Sequence, residues 1–251
     1  MIWKKLKLWF HMLGSAPYFY GFSRRVAPWL WAGFAITTVY GIYLALYVVP
    51  PDYQQGDSAR ILYIHVPAAW QAMFIYGVMA ILAVIALIWR IRLTEILAMS
   101  CAPIGAALTL VCLATGSLWG KPMWGTWWEW DARLTSMLIL LFIYIGIMGL
   151  YAAFDDKRKG ARIACVLVLA GVVNIPIIHF SVEWWNTLHQ GQTIRLIGES
   201  SMDPSMFPPL LWMVIATKFF FGAALLDRAR NELLDQDRNK KWVSERILEA
   251  A

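Results

Sequence analysis

"VPAAWQAMFIYGVMAILAVIALIW", residues 66–89, is a long apolar stretch that contains no charged residue. About 20 such residues cross the hydrocarbon core of a bilayer as a helix, because a helix satisfies all of its backbone polar groups internally. Five further apolar stretches, of which only the last contains a charged residue, Lys218, give predicted spans at 26–49, 66–89, 97–118, 134–154, 163–182 and 209–226. With 60% hydrophobic and 15% charged residues, the chain is predicted to be an all-α, polytopic membrane protein.

The distribution of lysine and arginine predicts how these spans are oriented. The basic residues concentrate on one side of a six-span arrangement, at positions 4, 5, 7, 24, 25, 90, 92, 157–159, 162 and in the tail beyond 227. The other side has only Arg60, Lys121, Arg133 and Arg195. Since cytoplasmic loops carry the excess of positive charge, both termini are predicted to be cytoplasmic.

The same distribution indicates a single integral membrane domain over residues 1–251. We expect a cytoplasmic amphipathic segment at 1–25, a six-helix bundle at 26–227 and a cytoplasmic tail at 228–251. The formal net charge of +6 then reflects topology and contact with anionic lipid, so no nucleic-acid partner is predicted. Proline positions suggest helix starts near Pro67 and Pro208, and kinks at Pro103 and Pro176.

The segment "WGTWWEWDARLT", residues 124–135, lies between the third and fourth predicted spans on the extracytoplasmic side. It belongs to a tryptophan cluster at positions 119, 124, 127, 128 and 130, with two more tryptophans at 184 and 185 in the facing loop. One interpretation is an interfacial helix, since Trp124, Trp127, Trp128 and Asp131 have helical spacing and tryptophan anchors helices at membrane surfaces. The other interpretation is a surface that stacks on a large planar apolar ligand.

Three histidines, His65, His179 and His189, are predicted at the same extracytoplasmic level as the tryptophan cluster. Each could also serve a structural purpose, as a helix cap, a packing residue or a solvated loop residue. The three cysteines lie within predicted spans and form no C-x-x-C motif, which excludes a thiol redox motif and covalent haem attachment. A non-covalently bound haem b would use the aromatic surface, two histidines as iron ligands, and nearby cations for its propionates.

Three motifs together are similar to one known family. "WGKPMWGTWWEWDARLT" at 119–135, "LYIHVPAAW" at 62–70 and "HFSVEWWNTLHQG" at 179–191 resemble the CcmC family of cytochrome c maturation proteins, haem exporter protein C, which carries a tryptophan-rich WWD motif. The resemblance extends from about Pro50 to Leu226.

This resemblance implies a haem carrier without catalytic activity in the bacterial inner membrane. Such a protein holds haem as cargo at the periplasmic face and delivers it to the haem chaperone CcmE, in a complex with the subunits CcmA and CcmB and the small membrane protein CcmD. By resemblance, His65 and His189 are the axial ligands of the haem iron. The remaining candidate haem contacts are Trp119, Lys121, Trp124, Trp127, Trp128, Trp130, Asp131 and Arg133.

Two other functional classes are compatible with a polytopic chain. A respiratory cytochrome b needs paired histidines deep within facing helices, and this sequence has none there. A transporter that moves haem or another substrate through the bundle needs polar groups at mid-membrane depth. Only Asn174, Lys218 and the prolines could serve that purpose, so transport is the alternative function.

Overall fold

The computed structural model describes residues 14–189 and 202–248. Its helices, named in chain order, are α1 (Ala16–Tyr43), α2 (Leu62–Trp89), α3 (Arg92–Trp124), α4 (Ala132–Ala152), α5 (Lys157–Gly171), α6 (Asn174–Trp184), α7 (Phe207–Gln236) and α8 (Lys241–Leu248). Single short turns at Leu44–Val48, Asp57–Ile61 and Pro204–Met206 extend the ends of α1, α2 and α7.

Six helical segments are long and apolar enough to cross a membrane, which confirms the predicted all-α, six-span architecture. They are Ala16–Val48, Asp57–Trp89, Arg92–Trp124, Ala132–Ala152, Lys157–Trp184 and Pro204–Gln236. Most of these helices continue beyond the apolar stretches, because polar residues in the interface can remain helical. Residues 16–25 accordingly form the start of α1, whereas residues 1–13 of the predicted amphipathic segment lie outside the described residues.

The prolines have different effects on the helices. Pro67 lies within α2, which already begins at Leu62, so the predicted helix start at Pro67 is wrong. The expected start near Pro208 is confirmed, because this residue lies in the first turn of α7. The fifth span is interrupted between α5 and α6. The ring of Pro176 would clash with the carbonyl four residues earlier, at Val172, which explains the interruption there. By contrast, α3 continues through Pro103.

Two buried tyrosines connect the spans near the centre of the bundle. Their rings, from Tyr76 and Tyr144, meet edge to face with centroids 5.3 Å apart. The Tyr76 hydroxyl donates to the carbonyl of Val168, and the Tyr144 hydroxyl donates to the carbonyl of Ala72, each over 2.8 Å. A Cβ atom at Gly105 would overlap the Tyr144 ring, so the close approach of α3 and α4 requires glycine at this position.

Alternation of the spans gives the bundle two chemically distinct ends. The tryptophan end contains the first turns of α2, α4 and α7 and the last turns of α3 and α6. The basic end contains the cations at positions 90, 92, 158, 159, 162, 228 and 230. Here Arg92 forms an ion pair with Asp237 over 2.7 Å. Lys218 lies between the two ends, with its Nζ 3.5 Å from the centroid of the Phe74 ring.

Candidate functional site

The tryptophan segment begins where α3 ends. Gly125 has a φ of 77°, and its N–H donates to the carbonyl of Lys121 over 3.1 Å. A glycine in this left-handed conformation is a common C-cap of an α-helix. Residues 125–131 are not helical, which excludes the interpretation of Trp124, Trp127 and Trp128 as one face of an interfacial helix. Trp119 and Trp124 instead lie on the last turns of α3, and the later tryptophans lie in the connection to α4.

Asp131 connects this segment to the loop that carries His189. It is the N-cap of α4, where Oδ1 accepts a hydrogen bond from the N–H of Leu134 over 2.7 Å. Its other oxygen, Oδ2, accepts a hydrogen bond from the hydroxyl of Thr187. The same Oδ2 lies 3.8 Å from Nδ1 of His189. One carboxylate therefore connects the start of α4 to the loop that follows α6.

These contacts change the acidity of Asp131. Burial alone would raise the pKa of its carboxyl group, but His189, the Thr187 hydroxyl and the Leu134 N–H lower it to about 2. The side chain is therefore negatively charged at neutral pH. A negative charge beside an imidazole favours the orientation in which Nδ1 of the ring points toward the carboxylate and Nε2 points away from it.

His65 lies in the first turn of α2 and is held by α3. Its Nδ1 is 3.0 Å from the carbonyl oxygen of Cys112 and 3.1 Å from Oγ1 of Thr115. A carbonyl oxygen can only accept, so Nδ1 carries the proton and Nε2 keeps its lone pair. Gly116 provides the space for the ring, because a Cβ atom there would lie 3.0 Å from Cε1 of His65.

The two histidines meet at the tryptophan end. The centroids of the His65 and His189 rings are 6.4 Å apart, with an angle of 34° between the ring planes. Trp119 contacts His65 edge to face, with ring centroids 5.8 Å apart. Trp124 contacts His189 at 5.1 Å. The structure thus brings together the two histidines and two of the tryptophans that the sequence singled out.

The other tryptophans form a separate group. Trp128 and Trp130 contact each other edge to face with centroids 5.4 Å apart. Trp127 is exposed, and Nζ of Lys121 lies 5.9 Å from its ring centroid. Nζ of Lys121 also donates to the carbonyl of Gly125, across the end of α3. Nε1 of Trp128 is buried and has no hydrogen-bond partner among the described residues.

The described hydrogen bonds of Arg133 and the described ring contact of His179 are with residues of α6. The guanidinium of Arg133 donates to Oγ of Ser181 over 3.1 Å and to the carbonyls of Ile178 and His179 over 3.4 and 3.2 Å. It therefore connects α4 to the last turns of α6, where the negative end of the helix dipole favours a cation. The ring of His179 contacts Phe180 edge to face at 4.7 Å.

Three further residues support the site and were not identified from the sequence. Thr115 contacts His65, Thr187 contacts Asp131, and Gln55 accepts a hydrogen bond from Nε1 of Trp119 over 2.9 Å. Each acts through a single hydrogen bond to a residue distant in the chain. Thr187 lies two positions before His189, which was the only local signal in the sequence.

Comparison with known proteins identifies the family. A family model described as "Heme exporter protein C" matches residues 9–244. The chain is 48% identical to heme exporter protein C of Escherichia coli strain K12 over 247 residues, which are 98% of each chain. It is 50% identical to the protein of that name from Bradyrhizobium diazoefficiens, over 88% of this chain and 84% of the relative.

A plant relative extends the comparison beyond bacteria. It is a cytochrome c biosynthesis ccmC-like mitochondrial protein of Marchantia polymorpha, 48% identical over 184 residues, which are 73% of this chain and 77% of the relative. The family match over residues 9–244 covers the six spans, the tryptophan segment and both histidines. The chain therefore belongs to the heme exporter protein C family, a group of multi-pass membrane proteins that handle haem in cytochrome c biogenesis.

Proposed function

We propose that this protein binds haem b as cargo at the tryptophan end of the bundle and delivers it to the periplasmic haem chaperone CcmE. His65 and His189 would be the axial ligands of the iron. The observation that carries the proposal is the 6.4 Å separation of their ring centroids. Metal-to-imidazole bonds of about 2.0 Å place two rings on one metal with centroids roughly 6 Å apart, so the pair fits an iron between them.

The surroundings of the histidines support this assignment. Nδ1 of His65 is occupied by the Cys112 carbonyl, and Nδ1 of His189 faces the Asp131 carboxylate. Metal-bound histidines usually have a hydrogen-bonded partner on the nitrogen that does not bind the metal. His65 has this partner, and for His189 the candidate is Oδ2 of Asp131, which lies 3.8 Å from Nδ1, just beyond hydrogen-bonding distance. In both residues Nε2 is then the nitrogen available to iron. Bound haem supplies the redox-active iron, and these two rings hold it without a covalent bond to the macrocycle.

The aromatic residues would contribute unequally to haem binding. Trp119 and Trp124 contact the histidines and would line the haem face, whereas Trp127, Trp128 and Trp130 form the outer group. Nε1 of Trp128, which is buried and has no hydrogen-bond partner among the described residues, would be a donor for a propionate. Lys121 is exposed and offers a cation at the same end. Arg133 is already held by the end of α6, so it would act chiefly by positioning that helix.

The proposed orientation places the tryptophan end in the periplasm and the basic end in the cytoplasm, with both termini cytoplasmic. The excess of cations at the basic end supports this orientation. Reporter fusions after Arg92 and Lys159 should report a cytoplasmic location, and fusions after Asp57 and Thr126 a periplasmic location. A cytoplasmic signal at Thr126 would contradict delivery to a periplasmic chaperone.

The family membership supports a complex with the maturation subunits CcmA and CcmB and the small membrane protein CcmD in the bacterial inner membrane. In this assembly the chain would act as a carrier rather than an enzyme. The alternative function, transport through the bundle, depended on Asn174 and Lys218. Nδ2 of Asn174 donates to the carbonyl of Ser136 over 3.0 Å, and Lys218 lies over Phe74. Both residues have a structural partner, so we favour the carrier function.

The decisive experiment is an absorption spectrum of the purified protein and its histidine variants. His65→Ala and His189→Ala should each lose most of the bound haem and change the visible spectrum, because each removes an axial bond. His179→Ala is the matched control and should retain the wild-type spectrum. Folded yield, measured by size-exclusion chromatography, separates loss of haem from loss of protein. Full haem content with an unchanged spectrum in both variants would refute the proposal.

A further inference from the structure

A cavity at the basic end has no part in the proposed haem site. It is widely open to the surface, has a volume of about 530 Å³ and is lined by Asp156, Arg158, Lys159, Arg162 and Ile163. These residues lie at the start of α5, where the fifth span enters the membrane. The cavity therefore lies at the level of the lipid headgroups, at the end of the bundle opposite the histidines.

A buried carboxylate arranges two of the cations that line this cavity. Glu95 of α3 is almost fully buried, and its two oxygens accept from Nε of Arg162 over 2.9 Å and from Nε of Arg158 over 3.1 Å. Nη2 of Arg158 also donates to the carbonyl of Arg90. Glu95 thus uses one N–H of each guanidinium and holds both groups in a fixed orientation. Further N–H groups of both arginines are left for a ligand.

The charge of the cavity favours an anion. Three cations line it, against the single carboxylate of Asp156 and the buried carboxylate of Glu95. The Asp156 carboxylate caps α5, where it accepts from the backbone N–H groups of Arg158 and Lys159 over 2.9 and 3.1 Å. Both carboxylates are therefore engaged within the protein. Guanidinium groups with free N–H donors bind phosphate oxygens with particular strength.

We infer that this cavity is a phosphate-group site, and that the ligand is the headgroup of an anionic phospholipid. Two features favour a lipid over free phosphate. The site lies where a span enters the bilayer, so headgroups surround it at high local concentration. Ile163 adds an apolar wall on the membrane side of the cations, which suits the acyl part of a lipid. Clusters of basic residues at the end of a membrane span are an established means of recognising anionic headgroups.

The test measures lipid retention by the full-length protein in detergent, using native mass spectrometry with phosphatidylglycerol or phosphatidylcholine added at equal concentration. The wild type should retain phosphatidylglycerol preferentially. Lys159→Gln leaves both ion pairs of Glu95 intact. It should reduce this preference about fivefold, which is the effect expected from the loss of one cation near an anionic surface. Arg162→Lys, which keeps the charge but removes guanidinium donors, should also reduce it.

Arg228→Gln is the matched control, because it removes an exposed cation at the same end but outside the cavity. An equal loss of preference in Arg228→Gln and Lys159→Gln would show a diffuse charge effect and overturn the site. Equal retention of the two lipids by the wild type would overturn it as well. Inorganic phosphate is the third probe. Displacement of phosphatidylglycerol by millimolar phosphate would assign the site to the free anion and overturn the lipid assignment.

Discussion

His65 and His189 meet at the tryptophan end, with ring centroids 6.4 Å apart, although one lies on the second span and the other in the loop after the fifth. Neither ring depends on the other for its position. His65 is held by the Cys112 carbonyl of α3, and His189 follows a segment that Thr187 ties to the N-cap of α4. Ligands placed by separate elements can bind or release a cargo without unfolding a span.

Asp131 should position His189 independently of its role as a helix cap. Asp131→Asn keeps an oxygen for the N-cap and replaces Oδ2 by an amide that can donate to the Thr187 hydroxyl, but it removes the negative charge beside the imidazole. We expect haem affinity to fall roughly tenfold or more, as for the loss of other partners of metal-bound histidines, while stability stays close to that of the wild type. Haem titration and thermal unfolding of the same samples measure the two effects.

Asp131→Ala is the companion variant. It should lose haem affinity and, in addition, about 1 kcal/mol of stability through loss of the N-cap. If Asp131→Asn binds haem as tightly as the wild type, the carboxylate only caps the helix and does not position His189.

The lowered pKa of Asp131 predicts an acid-sensitive contribution to stability. The pKa of this group is about 2 in the folded protein and 3.8 ordinarily, so the folded state favours the charged form. The contribution of the Asp131 carboxylate to the stability of the folded state is fully present above about pH 4 and is lost as the pH falls through about 2. Thermal midpoints of the haem-free protein between about pH 5 and about pH 2 should fall less steeply in Asp131→Asn than in the wild type.

Asp57→Asn provides the control for this titration. Asp57 is an exposed carboxylate at the same end of the bundle, in an ion pair with Arg60. Its replacement should leave the acid dependence nearly unchanged, since exposed ion pairs contribute little. Parallel curves for the wild type and Asp131→Asn would refute the assignment.

Gly116 should control the position of the His65 ring. A Cβ atom in Gly116→Ala would lie 3.0 Å from Cε1 of His65, so the ring must shift by a few tenths of an ångström. We expect weaker haem binding and a changed visible spectrum with little change in folded yield. Gly77 lies on α2, the helix that carries His65, and a Cβ atom there would meet no atom within 4 Å. Gly77→Ala is therefore the matched control. Identical spectra for both variants would show that the ring position is not critical.

The architecture was largely predictable from the sequence, and the detailed geometry of the site was not. Apolar stretches about 20 residues long determine the six spans almost by themselves, and the alternation of the spans brings His65 and the tryptophan segment to one end. The path of the segment depends on Gly125, whose left-handed conformation ends α3 after Trp124 and prevents the helix that the tryptophan spacing suggested. Contacts such as that between Thr115 and His65 require the register between α2 and α3, which hydropathy does not determine.

Gly105 should be essential for the packing of α3 against α4. Gly105→Ala places a methyl group where the Tyr144 ring lies, and overpacking of this kind typically costs about 1–3 kcal/mol. We expect a lower thermal midpoint, with haem per folded molecule unchanged because the substitution lies at the centre of the bundle. Gly149→Ala, whose Cβ would meet no atom within 4 Å, should have the wild-type midpoint. Equal midpoints for the two variants would contradict the close packing.

The outer tryptophans should matter more for transfer of haem than for its ligation. Trp127→Ala with Trp128→Ala removes an exposed ring and a buried donor that has no partner in the described part of the chain. Trp119 and Trp124 keep their contacts with the histidines. Each lost aromatic contact with a bound ligand costs about 0.5–1.5 kcal/mol beyond its buried area. We therefore expect a spectrum with the wild-type iron ligands, weaker retention of haem and slower loading of the chaperone.

Lys121→Gln provides the internal comparison for the double variant, because it removes the cation beside Trp127 and leaves every ring in place. It should slow chaperone loading with less effect on haem retention. If the tryptophans are only interfacial anchors, the double variant should lower the folded yield while haem per folded molecule and loading stay at wild-type levels. Measuring yield, occupancy and loading on the same preparations distinguishes an anchor from a haem surface, since an anchor changes only the first quantity.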